Sequence, residues 1–299
     1  LSLLSLHCRP AERPSFFIVA RVLRFPIKQT KPAIFCPLAL LLLTSLVVPV
    51  TVRGESPADS GFHLTHTCPA SFELQDGGCV LRNRYKKYRS LQDVGVGGLK
   101  TGLPQLREGF TPQQIDLGRY LFFDPVLSAY GSVSCASCHD PAQGFADGRA
   151  QAVGIGGQTL PRSAPSLWNI GFFSTLLWDG SKNSLEEQMQ GPLYSPFEMG
   201  NTPAQLLETL NGNQTYRALF EQAFGTTTIA LDQVYTAVTA FESSLISLNS
   251  RYDLYAHGYH AALNEEEIAG LNVFRSFVAR CAECHTPPLF SNQQLAVLG

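Results

Sequence analysis

The sequence predicts an all-α protein built from two units of the same kind. Apolar residues recur at helical spacing behind residues that favour helix N-termini. No segment shows the two-residue alternation typical of a half-exposed strand. A helix followed by the motif C-x-x-C-H occurs twice, once in each half of the chain. This repeat predicts two domains of one type, the first over residues 108–262 and the second, apparently incomplete, over residues 263–299.

Residues 1–52 differ in composition from the rest of the chain. The first 32 residues hold six basic side chains against one acid, and an almost unbroken apolar run follows from Ala33 to Val52. A basic segment before an apolar stretch is typical of an export signal. About twenty apolar residues can also anchor a chain in a bilayer. Both alternatives place the remaining residues in the periplasm, because the basic end stays in the cytoplasm.

Residues 53–66 are predicted to form a tether, and residues 67–107 are predicted to be mostly irregular. Cys68 and Cys79 lie in this segment, with two glycines just before the second cysteine. A glycine turn lets such a short loop close, and an oxidising compartment permits a disulfide. We therefore predict a Cys68–Cys79 disulfide clasp, with two free buried thiols as the alternative.

Caps and apolar spacing predict the helices. The first begins after Thr111 with Pro112 at its first position, and Gly118 in its apolar face lets another element or a cofactor approach closely. The other predicted regions are Thr202–Phe224 in two pieces split near Asn211, Asp232–Leu248, and Asn264–Ala279, whose first turn holds three glutamates. The first and last of these helices lead towards the two C-x-x-C-H motifs.

The two C-x-x-C-H motifs are the most specific feature of the sequence. This motif attaches a c-type haem, because both thiols add to the porphyrin vinyl groups and the histidine supplies a nitrogen to the iron. A short helical turn brings the two sulfurs to one porphyrin edge. A thioredoxin-like C-x-x-C or a zinc site shared by both pairs are alternatives, but neither accounts for the repeated histidine. The sequence predicts two covalent haems, held by Cys135, Cys138, His139, Cys281, Cys284 and His285.

The histidine positions indicate which haem is open to a substrate. A haem whose sixth position is filled carries electrons, whereas one with an open position can activate peroxide. No histidine lies between His139 and His257, so the loop after the first motif offers no imidazole. The first haem is therefore predicted to be five-coordinate.

The segment that begins at Trp178, together with both motifs, resembles the bacterial dihaem cytochrome c peroxidase family, including its MauG-like branch. The resemblance covers about residues 108–299. That family has a tryptophan in a W-D-G turn, a glutamine ten residues on and a glutamate ten further, and Trp178, Gln188 and Glu198 stand at these offsets. The resemblance implies that Trp178 carries electrons between the haems and that Gln188 and Glu198 line the peroxide pocket. It also implies that His139 is the proximal ligand of the peroxidatic haem.

The residue types at these positions also fit peroxide chemistry. Peroxide cleavage on iron needs a group that moves a proton from the near oxygen to the far one, and Glu198 can do so. An amide such as Gln188 can position the bound peroxide. The alternative for Glu198 is a solvated loop acid, and the alternative for Trp178 is a packed core aromatic. The neighbouring Glu186 and Glu187 are predicted to be solvated.

Three features depart from the family's pattern. Many relatives carry a distal histidine in the loop around Ile155, where none stands here. The family's interdomain calcium site uses an asparagine where Ser163 stands, which leaves calcium only as an open alternative. The distal Met or Tyr ligand of the second haem is expected after Gly299, so we interpret the chain as truncated relative to a complete enzyme.

These observations predict a periplasmic dihaem peroxidase that reduces hydrogen peroxide to water. Its electrons would come from a small cytochrome c or a cupredoxin. A MauG-like oxidase that acts on a partner protein and a dihaem electron-carrier cytochrome are the alternatives. The net charge of −2 gives no indication of nucleic acid binding. Membrane contact is expected only through an uncleaved N-terminal segment, and a homodimer is left open.

Overall fold

The computed structural model describes residues 62–86 and 102–295. Within these ranges the chain forms ten α-helices, several single 3-10 turns and one two-stranded sheet. The helical class predicted from the sequence is therefore confirmed. The predicted export segment, most of the tether and the glycine-rich stretch before Gly102 lie outside the described residues. The division into two domains stays a prediction.

The helices are short and connected by long irregular segments. The α2 helix and the split pair α5 and α6 agree with the prediction, whereas α4 and α8 were not predicted. No helix of the described ranges is long and apolar enough to cross a membrane. The helices are α1 Asn83–Lys86, α2 Pro112–Phe123, α3 Cys135–Cys138, α4 Leu185–Tyr194, α5 Pro203–Gly212, α6 Gln214–Phe224, α7 Leu231–Ser243, α8 Arg251–Ala256, α9 Glu265–Phe274 and α10 Cys281–Cys284.

A small β-hairpin precedes the helices. Strands β1 (Phe72–Gln75) and β2 (Gly78–Leu81) pair antiparallel. Asp76 and Gly77 join them with φ angles of 49° and 83°, and positive φ at both central residues is what a two-residue type I′ turn requires. The predicted Cys68–Cys79 disulfide is present and joins the hairpin to the preceding segment. The hairpin was not predicted, although the Asp76-Gly77 pair is a turn signal within the segment expected to be mostly irregular.

The α2 and α7 helices form the centre of the fold. Thr111 caps α2: its hydroxyl accepts from the backbone of Gln114 at 3.2 Å, and the Gln114 side chain accepts from the backbone of Thr111 at 3.0 Å. A Cβ placed on Gly118 would lie 1.8 Å from the carbonyl oxygen of Ala237 on α7. The prediction that Gly118 permits a close approach is confirmed, and the approaching element is α7.

Two helices end earlier than their apolar patterns predict. The α7 helix ends at Ser243 and not at Leu248, although Leu245 and Leu248 are buried. Asn169 explains the early end, because its backbone N–H donates to the carbonyl of Leu245. Its side-chain amide accepts from the Ser247 N–H at 2.8 Å and donates to the Ser247 carbonyl at 3.0 Å. These backbone groups are therefore satisfied outside the helix.

The α9 helix ends at Phe274 and not at Ala279. The residues that follow form a turn in which the Ser276 hydroxyl accepts from the backbone of Ala279 at 3.0 Å. Such local serine hydrogen bonds compete with helix continuation.

The largest buried cluster connects five helices around α2 and α7. Its buried members include Leu117 and Leu121 of α2, Leu193 of α4, Leu206 and Leu210 of α5, Phe220 of α6, and Val234 and Val238 of α7. A second cluster brings Phe122, Phe145, Leu167, Phe241 and Leu245 together, and Cys135 packs against it. The first C-x-x-C-H motif is thus seated directly on the core.

Candidate active site

The first C-x-x-C-H motif forms the single helical turn that the sequence predicts. Cys135 and Cys138 are the first and last residues of α3, and their thiols are free. His139 follows as the C-cap, and its backbone N–H donates to the Cys135 carbonyl at 2.9 Å. This turn sets the two sulfurs three positions apart and places the imidazole immediately after them.

Two backbone carbonyls orient the His139 ring. Its Nδ1 lies 2.9 Å from the oxygen of Phe145 and 3.1 Å from the oxygen of Pro165. Carbonyl oxygens only accept, so Nδ1 carries the proton and the lone pair of Nε2 is available to a metal. Burial lowers the pKa of His139, which favours this neutral form. The ring is therefore oriented as an axial ligand requires.

The backbone around these carbonyls adopts an uncommon conformation. Phe145 has a φ of 58°, which non-glycine residues rarely adopt. The segment that carries Pro165 is fixed by Asp147, whose carboxylate accepts from the backbone of Ala164 at 2.9 Å. Strained residues cluster at functional sites, and here the strain directs a carbonyl at the histidine.

The two thiols of α3 are partly buried. Burial raises the pKa of Cys135 to about 12, and the Glu242 carboxylate adds to this increase. Burial also raises the pKa of Cys138, with further contributions from the Asp147 and Glu198 carboxylates. The charge of Glu198 therefore acts on the first motif, 60 positions before it in the sequence.

Glu198 is held in a segment that folds back over the end of α4. The backbone of Asn201 donates to the Leu193 carbonyl at 3.0 Å, and the Glu198 carbonyl accepts from Ile155 at 3.1 Å. Gly154 permits this contact, because a Cβ there would lie 1.9 Å from the oxygen of Phe197. The loop after the first motif and the predicted acid are thus adjacent.

The Glu198 carboxyl is partly buried. Burial raises its pKa, and a hydrogen bond from Ser195 offsets part of the increase. A carboxyl with a raised pKa exchanges protons closer to neutral pH than a solvated one. This environment is compatible with the proton-transfer role of Glu198, which stays a prediction.

Gln188 lies on α4, which begins after the N-cap Ser184. Its side chain is partly buried, whereas Glu187 is exposed as predicted. Glu186 differs from the prediction: it forms an ion pair with Arg107 and is not simply solvated. The fold-back at the end of α4 brings the segment of Glu198 to the helix that carries Gln188.

Trp178 is exposed over 82 % of its surface in the described part of the chain. It stands in a turn with positive φ at Leu177 and Gly180. A Cβ on Gly180 would lie 2.7 Å from the Leu295 side chain, and the Gln293 amide donates to Phe172 at 3.0 Å. The tryptophan turn therefore borders the segment that follows the second motif.

The second motif repeats the first one locally. Cys281 and Cys284 are the ends of α10, and Nδ1 of His285 lies 3.3 Å from the carbonyl oxygen of Phe290. The side chains of Cys281 and Cys284 are exposed. Within residues 62–86 and 102–295, no three His, Cys, Asp or Glu side chains could hold a metal ion together, so the two cysteine pairs do not form a shared cluster there.

Ser163, which stands where the family's calcium site uses an asparagine, is exposed.

Comparison with known proteins defines the class of this chain. Residues 112–261 match the family of di-haem cytochrome c peroxidases. The methylamine utilization protein MauG of Methylorubrum extorquens is 37 % identical over 260 residues, which cover 85 % of this chain and 70 % of that protein. The cytochrome c551 peroxidase of Nitrosomonas europaea is 33 % identical over 63 % of this chain and 57 % of its own length. The chain belongs to the di-haem cytochrome c peroxidase family.

Solved structures agree with this assignment. A MauG-like protein associated with microbial copper homeostasis superposes with a TM-score of 0.58 and 34 % identity, over 62 % of this chain and 55 % of that one. The family and the enzyme class predicted from the sequence are confirmed. The chain spans about half to two thirds of most of these relatives.

Sequence reasoning did not find every residue that shapes the first site. The carbonyls of Phe145 and Pro165 have no sequence signal, because any residue supplies a carbonyl. Glu242 on α7 was not predicted either, although an acid within an apolar helical stripe indicates a buried charged group.

Proposed function

We propose that the complete protein is a periplasmic peroxidase that reduces hydrogen peroxide to water with electrons from a small redox protein. The observation that carries this proposal is the arrangement at the first motif. His139 turns its Nδ1 to two carbonyls and leaves Nε2 for a metal, and Glu198 lies within electrostatic reach of Cys138. The names of the relatives support peroxide as the substrate.

The residues of each motif fit a covalent haem c. Cys135 and Cys138 would form the thioethers and His139 would be the axial ligand, and Cys281, Cys284 and His285 would play the same parts in the second motif. When bound, haem supplies the iron that binds peroxide and exchanges electrons. The described chain already provides the free thiols and the oriented imidazoles.

Glu198 is the proton-transfer residue of the proposed reaction. Its carboxylate takes the proton from one peroxide oxygen and returns it to the other, so that water can leave. The Gln188 amide orients the peroxide by hydrogen bonding. Each turnover needs two further protons and two electrons, since one peroxide yields two water molecules.

Trp178 is proposed to conduct electrons between the two motifs. Its exposed ring and the contacts of its turn with Leu295 support this role. Electrons would enter at the second motif from a small cytochrome c or a cupredoxin.

A MauG-like oxidase is the second candidate function. It is favoured by the 37 % identity to a MauG protein. That match covers 85 % of this chain, whereas the match to the cytochrome c551 peroxidase covers 63 %. The same first site would then oxidise side chains of a partner protein. A full-length protein whose second haem has a tyrosine ligand would support this candidate, and a methionine would support the peroxidase.

The proposal is tested on the full-length protein matured in a host that attaches c-type haems. We expect two covalent haems by pyridine haemochrome assay and intact mass, and peroxide consumption linked to oxidation of a small cytochrome c. One haem or none, with both cysteine pairs free to react with an alkylating reagent, contradicts the proposal. So does a protein with both haems that does not consume peroxide.

A further inference from the structure

Glu242 is an acid in the interior of the fold that the proposed mechanism does not use. Its side chain is 6 % exposed on α7, and its Oε2 has no hydrogen-bond partner among the described residues. The hydroxyls of Thr239 and Ser243, on the same helix, are also buried without a partner there. Buried polar groups are normally satisfied, so three such atoms on one helix indicate a functional or hydrated cluster.

Glu242 interacts electrostatically with the first motif and with α4. Its charge contributes to the raised pKa of Cys135. Its neighbour Phe241 belongs to the cluster against which Cys135 packs. On α4, the charge of Glu186, which pairs with the half-exposed Arg107, acts on Glu242.

The charged groups around Glu242 leave it without an ionic partner among the described residues. Glu186 is engaged by Arg107. On α2, Asp116 and Arg119 pair with each other. On α3, Cys135 is a thiol that would become a neutral thioether in the haem-bound protein. The hydroxyls of Tyr194 on α4 and Tyr235 on α7 bond to each other at 2.5 Å.

The protonation of Glu242 is therefore sensitive to charge in its surroundings. Burial raises its pKa to about 8, and the Glu186 carboxylate contributes to the increase. An added negative charge nearby raises a carboxyl pKa further, and a removed one lowers it. Reduction of a haem iron adds one electron to the site beside Cys135 and so favours the protonated carboxyl.

We propose that Glu242 takes up a proton when an electron reaches the haem held by Cys135, Cys138 and His139. This inference rests on the proposed function, because it requires a haem at the first motif. In the haem-bound protein, a one-electron donor would supply the electron that reduces the haem from ferric to ferrous, and the Glu242 carboxylate would gain one proton from solvent to become the neutral acid. The buried Thr239 and Ser243 hydroxyls stand within one helical turn of Glu242 on α7.

The test is a spectroelectrochemical titration of the full-length dihaem protein at a series of pH values around 8. For a coupled one-electron, one-proton step, a tenfold change in proton concentration changes the reduction equilibrium tenfold, about 59 mV. We expect the potential of the first haem to fall with rising pH at a slope approaching this value. The variant Glu242→Gln keeps the shape but cannot titrate, so the slope should disappear in this pH range.

Two matched variants separate Glu242 from the other nearby carboxyls. Glu186→Gln removes the paired carboxylate on α4, and Glu198→Gln removes the acid near Cys138. Glu198→Gln should retain the pH-dependent potential, and Glu186→Gln should retain it at lower pH, because removal of the Glu186 charge lowers the pKa of Glu242. A slope that is absent in the wild type, or that persists in Glu242→Gln and is lost in one of the other variants, overturns the proposal.

A second measurement covers the case in which Glu242→Gln fails to mature. Redox difference infrared spectra of the wild type and of Glu198→Gln should both gain the carbonyl band of a protonated carboxyl on reduction. Absence of this band overturns the proposal. Haem content and peroxide turnover are measured on the same samples. A pH-independent potential with two haems and normal turnover would refute the role of Glu242 and leave the peroxidase assignment intact.

Discussion

The two C-x-x-C-H motifs have the same local structure and different surroundings. Each is one helical turn with a histidine at its end, and each histidine turns Nδ1 to a carbonyl, at 2.9 Å in the first motif and 3.3 Å in the second. Those carbonyls belong to Phe145 and Phe290, whose φ angles are 58° and 55°. The pentapeptide and the residues just after it thus specify the local geometry twice.

The surroundings set the two motifs apart. Cys135 packs on the core formed by α2 and α7, and the charges of Glu198 and Glu242 act on the α3 thiols. Around the second motif, Phe277 and Val278 are 88 % and 91 % exposed. Within the described residues, the first motif is therefore the one that packs on the core and has nearby carboxylates. We infer that peroxide chemistry belongs to the first motif.

The largest expected effect comes from Glu198→Gln in the full-length protein. The variant keeps the shape of the side chain but cannot transfer a proton, so peroxide turnover should fall by about 10²–10⁴-fold. Glu187→Gln, an exposed position on α4, is the matched control and should retain turnover. Steady-state assays with both haems loaded make the comparison. Equal turnover of the two variants would show that the proton moves by another route.

The pH dependence sharpens the same assignment. Glu198 must begin as a carboxylate to accept the first proton, and burial raises its pKa. Turnover should therefore fall as pH decreases through this raised pKa, above the value of about 4.3 at which an exposed glutamate titrates. The variant Glu198→Gln should lack this acidic limb. A pH–rate profile with the same acidic limb in both proteins would assign the titration to a different group.

The packing that seats the first motif is tested by Gly118→Ala. The new Cβ would lie 1.8 Å from the Ala237 carbonyl oxygen, so α2 and α7 would have to separate. We expect a loss of about 3 kcal/mol in the free energy of unfolding. In Gly191→Ala on α4, nothing lies within 4 Å of the added Cβ, so this control should be neutral or gain up to about 1 kcal/mol. Chemical denaturation measures both, and similar values would refute the close crossing.

The smallest effect concerns the connection between the motifs. Trp178→Phe keeps an aromatic ring in the exposed turn but removes the indole. Electron transfer between the haems should slow about tenfold, which corresponds to about 1.4 kcal/mol in the barrier. Peroxide binding at the first haem should stay unchanged. Rapid partial reduction followed by absorbance measures the rate, and equal rates in the two proteins would remove Trp178 from the path.

The sequence predicted the parts of this fold that depend on local chemistry. Thr111 with Pro112 marked the start of α2, and the spacing of Cys68 and Cys79 indicated the disulfide. The end of α7 was not predictable, because it is set by the long-range hydrogen bonds of Asn169.

In the candidate site, too, local features are predictable from the sequence and long-range contacts are not. The residue types and spacing of the C-x-x-C-H motif alone predict Cys135, Cys138 and His139 as haem-binding residues. The carbonyls that orient His139, and the fold-back that brings Glu198 to the loop at Ile155, depend on backbone paths. No residue type encodes such contacts, so only the structure could show them.

The electron paramagnetic resonance spectrum of the fully oxidised, full-length protein tests the central claim most directly. If the first motif is the peroxide site, one haem should be high-spin and five-coordinate, and the other should be low-spin. Cyanide, which binds an open ferric site, should convert only the high-spin signal, and His139→Gly should remove it. Two low-spin haems that do not respond to cyanide would contradict the account and favour an electron-carrier cytochrome.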